Sequence, residues 1–143
     1  MTLANGSHLA ELVIWLGMRL AATHSSMTQN VLFICSQNRL RSPTAEQVFA
    51  NWPGTATASG GLNRDAEIPV TPELLDWADI IFVMERAHRS KLSAKFKQHL
   101  HDKRVICLEI PDNYDFMAPE LVELLKARVP RHLRSTEPAI LAR

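Results

Sequence analysis

The chain has 143 residues, 46% of them hydrophobic and 22% charged, with a formal net charge of +1. That length fits a single domain with a real core, and the near-neutral charge excludes a strong field drawing the chain to nucleic acid or to a membrane surface. Two cysteines, Cys35 and Cys107, are too few for the disulfide framework of a small secreted protein, so reduced thiols and a cytoplasmic setting are expected.

In chain order, residues 9–22 are apolar but interrupted by Glu11 and Arg19. The run is shorter than the ~18 apolar residues of a spanning helix, and no basic residues precede it as in a secretory signal. It reads as an amphipathic helix capped by Ser7. Residues 1–26 are therefore expected to be a helical extension that packs on the core or on a partner chain, a second copy of this chain included. Met27 stands just before the first strand and would open the main domain, residues 27–130.

Residues 30–35, Asn-Val-Leu-Phe-Ile-Cys, form a continuous apolar run, as expected of a strand buried on both faces. A polar loop spans 36–41. Ser42-Pro43 predicts a helix start, with Ser as the cap and Pro at the first helical position; the helix runs to about Asn51 and Trp52-Pro53-Gly54 stops it. A second strand is expected at 55–59, ended by Gly60-Gly61, and a loop at 62–70. Thr71-Pro72-Glu73 opens a short helix reaching about Trp77. Ile-Ile-Phe-Val within 79–84 predicts a third strand. Residues 85–100 form a charged helix with Leu92, Phe96 and Leu100 on one face. A fourth strand at 104–110, a loop at 111–117 and a helix at 119–129 follow, and the mixed composition of the tail, 131–143, predicts little order. Strands alternating with helices imply an α/β three-layer sandwich around a four-stranded parallel sheet. Such sheets bind ligands at the carboxyl ends of their strands. Cys35 ends the first strand and Asp112 follows the last, so both fall at that edge.

The loop after the first strand reads Cys35-Ser36-Gln37-Asn38-Arg39-Leu40-Arg41-Ser42. Each part suits a phosphate dianion. The amides of a tight loop and of a helix start point inward at a bound anion. Arg41 adds a planar fork that grips two oxygens. The same positive surroundings favour a thiolate at Cys35, and Ser42 can donate a hydrogen bond to that sulfur. A thiolate attacking phosphorus gives a cysteinyl-phosphate that water hydrolyses. A cysteine ending a buried strand is also an ordinary small core residue, and the spacing alone does not separate the two readings; the full strand-Cys-loop-Arg-Ser-helix order favours catalysis.

With these residues the chain resembles the low-molecular-weight protein tyrosine phosphatase family, whose loop reads Cys-x-Gly-Asn-x-Cys-Arg-Ser. Cys35, Asn38, Arg41 and Ser42 match in spacing. Ser42-Pro43-Thr44-Ala45-Glu46 resembles the family's Ser-Pro-x-Ala-Glu helix start, Ala58-Ser59-Gly60-Gly61 its Ser-Ala-Gly turn, and the run from Ala78 to Arg89 its Ala-Asp-x-Ile-x-x-Met strand with the following helix start. The resemblance covers roughly residues 30–129. It implies Cys35 as nucleophile, Arg41 as phosphate clamp and Ser42 as support for the thiolate. Ser36, Gln37, Asn38, Arg39 and Leu40 would surround the anion, with Asn38 holding the loop's unusual backbone, aided by Ser59. Pro111-Asp112-Asn113-Tyr114 resembles the family's Asp-Pro-Tyr loop, with Asn in place of Pro. Asp112 would then be the general acid, and Tyr114 would wall the substrate ring. Asp115 is the alternative acid.

Gln37 departs from the family by replacing the loop glycine, and Leu40 by replacing the second cysteine that traps the nucleophile as a disulfide. The segment after Gly61 is short, which predicts loss of a helix and of a cleft-shaping loop. The loop is most similar to that of a compact bacterial branch of predicted tyrosine phosphatases reading Cys-Ser-x-Asn-Arg-Leu-Arg-Ser, in which Arg39 either recruits anionic substrate or is a solvated surface charge.

The remaining candidates read as structural. Cys107 sits in an apolar run, His88 reads as a helix-start or capping residue, Trp52 either packs or lies near the cleft, and the basic residues of 86–97 form a solvated face. The six histidines have no metal-site spacing, and no metal or cofactor is expected. The leading expectation is a phosphomonoesterase acting on a phosphorylated protein or small aryl phosphate, with phosphate or sulfate able to occupy the loop. The alternatives are a phosphate-binding or pseudophosphatase interaction module and, less favoured for want of further thiols, an arsenate reductase.

Overall fold

The structure is a computed structural model and describes residues 28–134. The expected N-terminal helix, its Ser7 cap and most of the tail lie outside the described residues. Four strands, β1 (Gln29–Cys35), β2 (Thr55–Gly61), β3 (Ile80–Val83) and β4 (Arg104–Cys107), form one all-parallel sheet in the order β2-β1-β3-β4. Four helices alternate with them: α1 (Arg41–Val48), α2 (Pro72–Trp77), α3 (Arg86–Phe96) and α4 (Pro119–Arg128).

The two faces follow from the period-2 alternation of β1. Val31, Phe33 and Cys35 point to one core with Phe82, Ala45 and Phe49 of α1, and Leu121 and Leu125 of α4. Leu32 and Ile34 point to the other, with Ile81, Val83, Leu75 of α2 and Leu92 of α3. Phe33 stacks on Phe49 and on Phe82, which binds the first core across the sheet. Phe96 and Leu100 pack on the second core beside Leu92, and Cys107 joins its margin. Trp52 packs edge-on against Phe49 at 4.9 Å, and does not reach the cleft.

Several boundaries differ from the sequence expectation. Gly60 and Gly61 do not end β2; they pair with Ile34 and Cys35, because β1 runs that far. α1 starts at Arg41, with Leu40 as its cap residue and no side-chain cap, so Ser42 lies inside the first turn and its hydroxyl is used elsewhere. α2 has the expected Thr71 cap, whose hydroxyl accepts from the Leu74 amide. The segment after Gly61 is short but still contains this helix. The start of the tail is ordered: His132 meets the edge of Phe82, and the Arg134 amide donates to Gln29 Oε1.

Candidate active site

β1 lies between β2 and β3, so the chain leaves its carboxyl end at the point where the helical connections diverge, the usual place for a ligand in such sheets. Residues 36–40 make the turn there between β1 and α1. The carbonyls of Ser36, Gln37 and Leu40, with that of Cys35 before them, are used by other elements. Leu62 donates to the Cys35 carbonyl, Asn63 to Ser36 and Glu67 to Gln37, while Leu40 accepts from the Thr44 amide and hydroxyl. Among the described residues, no hydrogen bond takes an amide of 36–40 as its donor. Holding the carbonyls outward leaves the amides for an anion.

Asn38 makes the turn possible. Its φ is +57°, a region that Asn enters more readily than most residues. Its Nδ2 donates to Ser42 Oγ at 3.0 Å and to Ser59 Oγ at 2.9 Å, and Ser59 donates to Glu46 Oε1 at 2.5 Å. Gly61 completes the support by close approach: a Cβ there would stand 2.5 Å from Ala66 Cβ and 2.6 Å from the Ser36 carbonyl. Asn38, Ser42 and Ser59 are all buried behind the loop rather than facing the cleft.

The pocket has a volume of about 270 Å³ and is lined by Cys35, Ser36, Gln37, Arg39, Leu40, Arg41 and Asp112. Cys35 Sγ lies 3.0 Å from Ser42 Oγ. Asn38 already donates to that oxygen, so the hydroxyl proton is shared between the sulfur and the Gly60 carbonyl, which lies at 3.4 Å. Arg41 is 3% exposed. One terminal nitrogen, Nη1, donates to the Ile110 carbonyl at 2.8 Å and pairs with Glu85 at 3.0 Å, and Nε stands 3.6 Å from Asp112. Among the described residues Nη2 has no protein partner, which leaves half of the fork for a ligand. Arg39 is exposed and pairs only loosely with Glu67, at 3.7 Å. Gln37 Oε1 is buried without a hydrogen-bond partner.

The acid candidates separate clearly. Asp112 lines the pocket; Asp115 does not, and its carbonyl accepts from Ala118 to close the following turn. Tyr114 packs against the first core and is not among the lining residues, in contrast to the expected wall of the cleft. The chain segment that carries Asp112 is held at its far end by Thr44, whose hydroxyl accepts from the Met117 amide.

Two participants were not legible as site residues. Glu85 and His88 form the capping box of α3, as the helix-start reading of His88 anticipates, but both also reach the loop. Glu85 holds Arg41, and His88 Nε2 stands 3.0 Å from Ser36 Oγ. His88 is 2% exposed; burial pushes its pKa below the ordinary 6.5, the nearby Arg41 adds to that, and Glu85 opposes it. Glu85 three positions before His88 is a visible capping signal, but a partner across the sheet leaves no local mark. Among the described residues no cluster of His, Cys, Asp or Glu is arranged to hold a metal ion, and no helix is long and apolar enough to cross a membrane.

Neither a protein-family model nor a curated protein sequence matches the chain. Solved structures do. A low-molecular-weight protein tyrosine phosphatase from Streptococcus pyogenes superposes with a TM-score of 0.62 at 17% identity, covering 76% of this chain and 95% of its own. The tyrosine phosphatase Wzb from Escherichia coli K30, in complex with phosphate, gives 0.61 at 21%, covering 74% and 96%. The chain has the low-molecular-weight protein tyrosine phosphatase fold. The YwlE arginine phosphatase from Geobacillus stearothermophilus shares this fold as well, with a TM-score of 0.57 at 20% identity over 68% of this chain and 88% of that one. The fold accounts for the α/β sandwich and the four-stranded parallel sheet expected from the sequence.

Proposed function

We propose that the chain is a phosphomonoesterase that works through a cysteinyl-phosphate intermediate. The observation that carries this reading is the convergence of Cys35, the free side of Arg41 and Asp112 on one pocket whose loop carbonyls at Ser36, Gln37 and Leu40 are bonded to other elements. The loop amides and Arg41 Nη2 would hold the three non-bridging oxygens and bear the charge that develops on them. Cys35 would attack in line as the thiolate, with the Ser42 hydroxyl 3.0 Å away and able to donate to its sulfur. The S–P bond forms as the P–O bond to the leaving group breaks, and protonated Asp112 supplies the proton that this oxygen needs. Asp112, now a carboxylate, then takes a proton from water as water attacks phosphorus, which releases inorganic phosphate and restores the thiolate.

For the substrate, phosphotyrosine in proteins is the first reading, in line with the tyrosine phosphatases that share the fold. A second reading has its own support. Among the described residues no aromatic side chain lines the pocket, and Gln37, which does, carries a side-chain amide of the type that pairs with an N–H on the leaving group. A phosphorylated guanidinium carries such N–H groups, and an arginine phosphatase shares the fold.

The test is hydrolysis of a small aryl phosphate, a phosphotyrosyl peptide and a phosphoarginyl peptide by the full chain and by Cys35→Ser. Turnover of any of them that is lost in Cys35→Ser supports the mechanism, and the ratio of the two peptides decides the substrate. Turnover that survives Cys35→Ser overturns it. Phosphate binding without any turnover would instead make the chain an interaction module.

A further inference from the structure

The contact between His88 and the nucleophile loop fixes more than the packing of α3. The Glu85 amide donates to His88 Nδ1 at 3.0 Å. A ring nitrogen that accepts carries no proton, so the neutral imidazole holds its proton on Nε2. Nε2 stands 3.0 Å from Ser36 Oγ. The ring must therefore donate and the hydroxyl accept. A hydroxyl has one proton and two lone pairs; with a lone pair occupied by His88, its own proton points elsewhere. Among the described residues Ser36 Oγ has no other protein partner, and Ser36 lines the pocket beside Cys35 and Arg41.

We propose that His88 is a positioning residue for the anion: by donating Nε2–H to Ser36 Oγ, it turns the Ser36 hydroxyl proton into the pocket as a further hydrogen bond to phosphate. This rests on the phosphate-binding reading of the pocket given above. The surroundings of the ring suit the role. Burial, and after it Arg41 and Lys91, disfavour a second proton on it, while Glu85 and Asp112 act the other way. A protonated ring would have to give up the bond from the Glu85 amide, because both its nitrogens would then be donors. The N-terminal end of α3 thus sets which partner the Ser36 hydroxyl faces.

The experiment measures inorganic phosphate as a competitive inhibitor of the full chain, of Ser36→Ala, of His88→Asn and of the double variant. An asparagine at position 88 can still accept from the Glu85 amide but is too short to reach Ser36. Each single change is expected to weaken phosphate about tenfold, as for one hydrogen bond to a charged group. The double variant should be no weaker than either single one. Nitrogen NMR of the wild-type chain, with the histidines labelled, should show His88 protonated on Nε2. Unchanged phosphate affinity in Ser36→Ala, single losses that multiply in the double variant, or a proton on Nδ1 would each overturn the relay. If His88→Asn fails to fold, Ser36→Ala and the wild-type spectrum still decide. A wild-type chain that binds no phosphate would overturn the phosphatase reading itself, a result distinct from wild-type binding that Ser36→Ala leaves intact.

Discussion

The two loops that meet at the pocket are held in different ways. The nucleophile loop is pinned at almost every residue: three carbonyls are bonded to the segment after β2, Asn38 is anchored by two serines, and Gly61 presses against the loop from behind. The acid-bearing segment, 111–117, is mostly exposed and is held near its ends. Arg128 bonds the Leu108 and Glu109 carbonyls, Thr44 holds Met117, and Glu109 and Met117 both take positive φ, +54° and +59°. Non-glycine residues in that region cost on the order of 1 kcal/mol each, which packing around them must offset. On the proposed phosphatase reading, the contrast would have the anion site built in before substrate arrives, whereas proton donation would depend on a few anchors. The two functions should therefore be separable by mutation.

The largest effect that separates them is expected at the acid. Asp112→Asn should lower kcat by about 10²- to 10³-fold on an aryl phosphate with a basic leaving group, with much less loss on an activated nitrophenyl ester and no loss of phosphate affinity. Asp115→Asn should leave both rates close to wild type; a large loss there would exchange the two roles. Gly61→Ala breaks the other side. Its Cβ would clash with the Ser36 carbonyl and Ala66, so destabilisation of about 2 kcal/mol is expected in urea unfolding, together with weaker phosphate binding. An Ala variant as stable as wild type would show that the loop is not tightly backed.

Thr44→Val is a milder cut at the acid segment. It removes the acceptor for the Met117 amide and the hydroxyl donor to the Leu40 carbonyl while keeping the shape of the side chain, which should cost about 1–2 kcal/mol. Because the Leu40 carbonyl keeps its bond from the Thr44 amide, turnover of basic leaving groups should fall more than phosphate affinity; equal losses in both would contradict the separation. The smallest effect concerns pH. The folded chain holds His88 below its ordinary 6.5, so the unfolded chain binds this proton first as pH falls. The contribution is absent above that value and destabilises the fold as pH drops from 6.5 towards the lowered one. Urea midpoints between about pH 7.5 and 5.5 should fall more steeply for wild type than for His88→Asn.

What the sequence revealed follows from the range of the interactions involved. Continuous apolar runs identified β1 and β3, because strands buried on both faces need them, and the loop spacing located Cys35, Arg41 and Ser42. The start of α1 was misplaced because Ser42-Pro43 is a good local cap signal, but the Ser42 hydroxyl is held by Cys35 and Asn38 and the helix begins at Arg41. Gly60-Gly61 looks like a strand end because glycine weakens strands; here the close approach of the loop requires the second glycine. The resemblance to the family's Asp-Pro-Tyr loop puts Tyr114 at the cleft, whereas here it packs against the first core. The ties from Glu85 to Arg41 and from His88 to Ser36 span the sheet, and no local pattern records them.

The central claim is that Cys35 forms a covalent bond to phosphorus during turnover. The most direct measurement is a rapid denaturing quench of the full chain in the act of hydrolysing an aryl phosphate, followed by mass spectrometry of its peptides. The account predicts a phosphate adduct on the peptide carrying Cys35, absent in Cys35→Ala and absent before substrate is added. Steady turnover with no adduct on that peptide, continuing in Cys35→Ala, would contradict it.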